Sequence, residues 1–172
     1  MKKQDFKRNA SSAARLAAVQ GLYEIDVADA AVEDVVAAFK GDRWESIRAE
    51  LKAELNETPE VLLNLPTPDR RILPAVIRGV SKNRTELDAA IVVHIGSSEA
   101  FDHLEALTKA ILRAAVYELV HTPKVPIGVI SSDYVAIANA FFTENQPNMI
   151  NAVISALADQ LRETGLPTDV SE

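Results

Sequence analysis

From Ser11 to Glu163 apolar residues recur at steps of three and four, and no stretch alternates with the period of two that a half-buried strand requires. That pattern restricts the chain to helix packed on helix. Ala14, Ala18, Leu22 and Ile25 form the inner stripe of a first helix, which Ser11 or Ser12 can cap and which runs to about Val27. Val32, Val35, Val36 and Phe39 carry the stripe into an acidic helical region from Ala31 to Leu55, divided at Gly41-Asp42. Thr58 to Pro68 holds three prolines and reads as a loop. Helix returns from Asp69 to Ile95 through Ile72, Val76, Val80, Leu87, Ile91 and Ile95, with Pro74 either opening the regular helix or kinking it. Gly96-Ser97-Ser98 ends that segment and supplies a new cap.

Ala100 to Val120 carries the widest apolar stripe, Leu104, Leu107, Ile111, Leu112, Ala115, Val116 and Leu119, which predicts a helix covered on more than one side at the centre of the core. Pro123 and Pro126 break the chain before an apolar helix from about Val129 to Phe141. A last helix follows Thr143 to Gln146, tolerates Pro147 in its first turn and stops before Gly165-Leu166-Pro167. The expected fold is therefore all-α, a bundle of about seven helices in two packed helical subdomains sharing one core. Its boundaries are a basic flexible arm over 1–10, a single helical domain over 11–163 with subdomains at about 11–65 and 69–163, and a mobile tail over 164–172.

Composition narrows function further. With no cysteine there is no thiolate metal site and no disulfide framework, which points to a reducing, cytoplasmic setting. No apolar run reaches the roughly 18 residues of a membrane span, so no membrane partner is expected. His94, His103 and His121 lack the spacing of helical metal ligands, and there is no glycine-rich phosphate loop or nucleophile elbow. Ser131-Ser132-Asp133 reads as a helix cap, and Asp102 with Glu105 as one solvated face. No catalytic residue, metal or cofactor is expected, which favours binding over catalysis. Charge is uneven: Lys2, Lys3, Lys7, Arg8 and Arg15 against Asp5 give the first fifteen residues +4, so the rest of a chain of net −7 carries −11. Eleven of the carboxylates lie between Glu24 and Glu60. A basic end on an acidic body can offer opposite fields to two partners.

Three longer stretches and one short one carry a further signal: Ala14-Arg15-Leu16-Ala17-Ala18-Val19-Gln20-Gly21-Leu22-Tyr23; Ile111-Leu112-Arg113-Ala114-Ala115-Val116-Tyr117-Glu118-Leu119; Val125-Pro126 through Phe141, Glu144 and Asn151 to Val153; and Arg78-Gly79-Val80. They resemble, in that order, the first helix, the central helix, the Val-Pro break with the last two helices, and an internal Gly-Val element of the family of the transcription antitermination factor NusB. The resemblance covers roughly residues 11–160. It implies no enzymatic activity and binding of single-stranded boxA RNA of ribosomal RNA leaders, with ribosomal protein NusE, in an antitermination complex on RNA polymerase. By position it puts Lys7, Arg8 and Arg15 on the RNA face, to which the basic end adds Lys2 and Lys3, and Asn145, Asn148 and Met149 beside it at the start of the last helix. Tyr23 either stacks on a base or is buried with Leu22. Asp102, Glu105 and Glu118 are candidates to receive a basic protein partner.

Departures from the family pattern pull in both directions. Lys7-Arg8 is separated from Arg15 by Asn9-Ala10-Ser11-Ser12, where the family bunches arginines, and Gly128 stands where it commonly has lysine. Ser132-Asp133 replaces an Asn-Glu pair, and Ala152 a glycine. Asn145 occupies a commonly acidic position, which removes a negative charge beside RNA. A protein-interaction module of the same fold that has lost RNA binding is the alternative.

Overall fold

The computed structural model of the chain describes residues 9–54, 66–143 and 145–164. Among the described residues there are nine α-helices and no strand. They are α1 Ala10–Ala28, α2 Val32–Ala38, α3 Arg43–Glu54, α4 Ile72–Lys82 and α5 Arg84–Ile95, then α6 Ser98–Asp102, α7 Ala106–His121, α8 Ile127–Phe141 and α9 Gln146–Thr164. The tail beyond Thr164 and most of the arm lie outside the described residues.

α1 begins at Asn9, not at a serine. The extended Asn9 backbone turns into the helix while its Oδ1 accepts the Ser12 N–H at 2.8 Å, which satisfies one of the amides left over at a helix start. The stretch Ala13 to Val19 is at most 2% exposed, so small side chains let α4 and α7 close in on it, with α2 and α8 packed more lightly. Gly21 sits where α1 crosses α2 and α4, and a Cβ there would stand 2.8 Å from Ile77 Cδ1 and 3.1 Å from Val35. Gly79 on α4 is tighter still, because the Tyr117 ring of α7 lies directly on its Cα and an added Cβ would fall 2.0 Å from Cζ.

Two segments expected to be continuous are broken. The Asp69–Ile95 region splits at Asn83, whose backbone N–H and Nδ2 both bond the Gly79 carbonyl, so α4 ends and α5 starts afresh. Pro74 falls in the first turn of α4, where a missing N–H does no harm. The Ala100–Val120 segment splits at His103–Glu105: the His103 and Leu104 N–H groups close on Glu99 and Phe101, and Glu105 is extended. The break turns Phe101 inward, with Lys109 and Arg113 at 5.2 and 5.6 Å from its ring centroid. These splits, with the separate short helices α2 and α6, raise the count above seven.

One core links Ala13 on α1 to Leu157 on α9 and takes in Trp44 and Ile47 of α3. α7 is its axis, in contact with α1, α4, α5, α8 and α9. Among the described residues no helix is long and apolar enough to cross a membrane.

Candidate functional site

The residues singled out in the sequence fall into three places. Lys2, Lys3, Lys7 and Arg8 lie outside the described residues and join the fold at Asn9.

Arg15 and Glu118 are in the core, which corrects their expected surface positions. Arg15 is 2% exposed and all three of its guanidinium nitrogens are occupied: Nε and Nη2 donate to the two Glu118 oxygens at 2.8 and 3.0 Å, and Nη1 donates to Asp133 Oδ2 at 2.9 Å. Ser12 Oγ donates to the same Asp133 oxygen at 2.9 Å, and Tyr134 Oη donates to Glu118 Oε2 at 2.6 Å. Desolvation pulls the Arg15 guanidinium toward the neutral form, but the hydrogen bonds and charge of Glu118 outweigh it and hold its pKa above the usual arginine value. Burial, reinforced by the Glu118 charge, pushes the Tyr134 phenol well up. With each Arg15 nitrogen engaged by a buried carboxylate and both side chains 2% exposed, neither Arg15 nor Glu118 is presented to a ligand at the surface. Ser12 is likewise an inner strut, not the cap of α1, and Asp133 lies inside α8, past the turn that a cap would serve.

The remaining residues gather at the other end of α1. Tyr23 is exposed and lines a groove of about 450 Å³ with Gln20, Ile47, Glu50, Glu105, Ala106, Leu107 and Phe141. Tyr23 is 38% exposed, against 5% for its neighbour Leu22. Gln146 Nε2 donates to Glu105 Oε1 at 2.9 Å and so ties the start of α9 to the start of α7, bringing in Asn145 and Asn148, both exposed, and the half-buried Met149. Asp102 is exposed at the end of α6, and the helix break places it and Glu105 on different elements, not on one helical face. Chemically the groove joins two aromatic side chains, Tyr23 and Phe141, to the amide of Gln20, with Gln146 bonded to the lining Glu105. Amides recognise base edges and a phenol ring can stack, whereas Glu50 and Glu105 repel phosphate, so a strand bound here must direct its backbone away from that wall.

Gln20, Glu50, Phe141 and Gln146 were not singled out from the sequence. Gln20 precedes Tyr23 by three residues, a spacing that puts both on one helix face, and that was the available signal. The others come from α3, α8 and α9, and only the packing of those helices brings them to Tyr23. A second ionic ladder was missed as well: Arg113 donates to Asp88 at 2.6 and 2.9 Å and to Asp26 at 2.7 Å, and Arg84 also bonds Asp26 at 2.7 Å. It locks the end of α1 to α5 and α7. Among the described residues no group of three histidine, aspartate or glutamate side chains could hold a metal ion.

The sequence pattern of the NusB family matches residues 12–159. A transcription antitermination protein NusB of Rhizobium leguminosarum bv. trifolii is 35% identical over 154 residues, which cover 90% of this chain and 89% of that protein. The protein of the same name from a Bradyrhizobium species is 35% identical over 158 residues, covering 92% and 86%. The solved structure of T. maritima NusB superimposes with a TM-score of 0.64 at 22% identity, covering 88% of this chain and 93% of that one, a likeness of fold.

Proposed function

Because the chain belongs to the NusB family of transcription antitermination proteins, we propose that it binds a boxA-like single-stranded element of ribosomal RNA leaders in the cytoplasm, together with ribosomal protein NusE, within an antitermination complex on RNA polymerase. The family works by binding and not by catalysis. The observation that carries the reading is the convergence at the end of α1: Tyr23 and Glu105, distant in sequence, line one groove, and Gln146 at the start of α9 bonds Glu105. Tyr23 stacks on an unpaired base for about 1–3 kcal/mol, and the exposed Asn145 and Asn148 offer amides without adding negative charge. The arm, Lys2, Lys3, Lys7 and Arg8, supplies phosphate contacts. Asp102 and Glu105 face a basic protein partner, which opposite fields orient.

Titration of a labelled boxA-like strand at low salt tests the reading, with a scrambled strand as control and with and without NusE. The boxA-like strand binds more tightly than the scrambled one and NusE strengthens it; absence of binding under both conditions overturns the proposal. The alternative, a module that recognises protein alone, is favoured by one observation, that burial withdraws Arg15 from the cations available to RNA. It predicts that capture of NusE is unchanged, and RNA binding absent, in Lys7→Ala/Arg8→Ala. Arg15→Ala is no probe of either reading, because it breaks the core.

A further inference from the structure

Every arginine among the described residues forms an ion pair except two adjacent ones, Arg70 and Arg71. In a chain with 25 carboxylates this is a distinction, since even exposed arginines such as Arg78 and Arg162 find partners. Both side chains are exposed. Asp69, beside them, accepts the Arg71 and Ile72 N–H groups on Oδ1 at 2.8 and 3.1 Å, and these bonds, with a smaller contribution from the Arg71 charge, hold its carboxyl below the usual aspartate range. Its charge offsets one arginine, so the Asp69–Arg71 turn carries +1.

The position of this turn is set by one bond. Asp69 N–H donates to the Ala10 carbonyl at 2.9 Å, which fastens the turn to the first residue of α1, one residue from where the basic arm joins the fold at Asn9. Residues 1–8 carry +3 and lead into α1 at Asn9, and the turn fastened to Ala10 adds +1. Arg70 also lines a cleft with Lys40, where Glu45 is held by Arg48.

We propose that Arg70 and Arg71 form a second phosphate-binding station, which extends the RNA path from the arm across the Asp69–Arg71 turn. The inference rests on the RNA-binding reading above. Ala10 and Tyr23 are thirteen residues apart on one helix, about 20 Å at a rise of about 1.5 Å per residue. At about 3.4 Å per phosphate along a stacked strand, about six nucleotides link the two ends. Tyr23 reads a base at one end while the turn holds the backbone at the other, clear of the acidic wall of the groove.

The test is the salt dependence of binding to the boxA-like strand with NusE present, measured on the full chain, on Arg70→Ala/Arg71→Ala and on Arg70→Lys/Arg71→Lys. Six neutralised phosphates, four at the arm and two at the turn, give a slope of about −4.2 in log K against log salt, at about −0.7 per phosphate. The alanine pair is expected to bind more weakly at low salt with a slope near −2.8, its deficit shrinking as salt rises, and the lysine pair to restore the steeper slope. Thermal melting should match the unaltered protein, because both residues are exposed. If the unaltered protein binds and the alanine pair matches it in affinity and slope, the second station is refuted while the RNA reading stands. If the unaltered protein fails to bind at low salt, the RNA reading falls and takes this inference with it.

Discussion

Arg15 and Tyr23 lie about two turns apart on α1, and the stretches of helix around them differ in kind. Around Arg15 the helix is enclosed by α4, α7 and α8, and each charge meets its counter-charge inside the core. Around Tyr23 it emerges, with the Tyr23 ring 38% and the Val27 side chain 58% exposed, and polar groups face solvent. The same residue types therefore carry different meanings: a buried arginine positions three helices, whereas exposed arginines and amides are available to a ligand. The proposed recognition uses only the parts of α1 that the core leaves open.

The largest effect expected is at the buried end. Arg15→Ala leaves Glu118 and Asp133 as unpaired buried carboxylates, and chemical denaturation should show a loss of about 3–5 kcal/mol, with the fold lost if the margin is smaller. Gly79→Ala drives a methyl into the Tyr117 ring and should lower stability by about 1–3 kcal/mol. At the open end the balance reverses: Tyr23→Ala should weaken RNA binding by about 1–3 kcal/mol while its unfolding curve stays within about 0.5 kcal/mol of the parent. A large stability loss in Tyr23→Ala would erase the contrast.

A smaller, pH-dependent effect sharpens it. The Tyr134 phenol has a raised pKa in the folded state, so the folded protein prefers the protonated form. Its contribution is fully present below the unfolded value of 10.0 and is lost as pH rises above it toward the folded value. The unfolding free energy of the parent should fall between about pH 10 and 11.5 by more than that of Tyr134→Phe, which has no proton to lose. Equal slopes would contradict the buried network. The smallest effect is at the surface, where Arg78→Ala breaks an exposed pair with Glu33 and should leave the unfolding curve nearly unchanged.

The helices and most of their ends were legible because periodicity, proline and glycine report local structure. Gly41-Asp42 does divide α2 from α3, and Gly96 does end α5 in the left-handed conformation. The break at His103–Glu105 was hidden because Leu104 and Leu107 keep the helical spacing across it. Arg15 was misread because resemblance transfers a position and not its surroundings: Glu118 and Asp133 lie 103 and 118 residues further along the chain. A local clue existed, since Arg15 interrupts the run Ala13 to Val19 whose other members are all apolar and buried. Arg70 and Arg71 left no trace in the sequence, because only the bond from Asp69 to Ala10 brings them to the arm.

The most direct test is a residue-resolved NMR titration with the boxA-like strand and NusE, following backbone amides and the Arg15 Nε–H resonance. Gln20, Tyr23, Asn145, Asn148, Arg70 and Arg71 should shift in a saturable way while the Arg15 Nε–H resonance stays fixed. Shifts centred on Arg15, Glu118 and Asp133, with Tyr23 and its neighbours silent, would contradict the division of α1 into a buried structural stretch and exposed recognising ones.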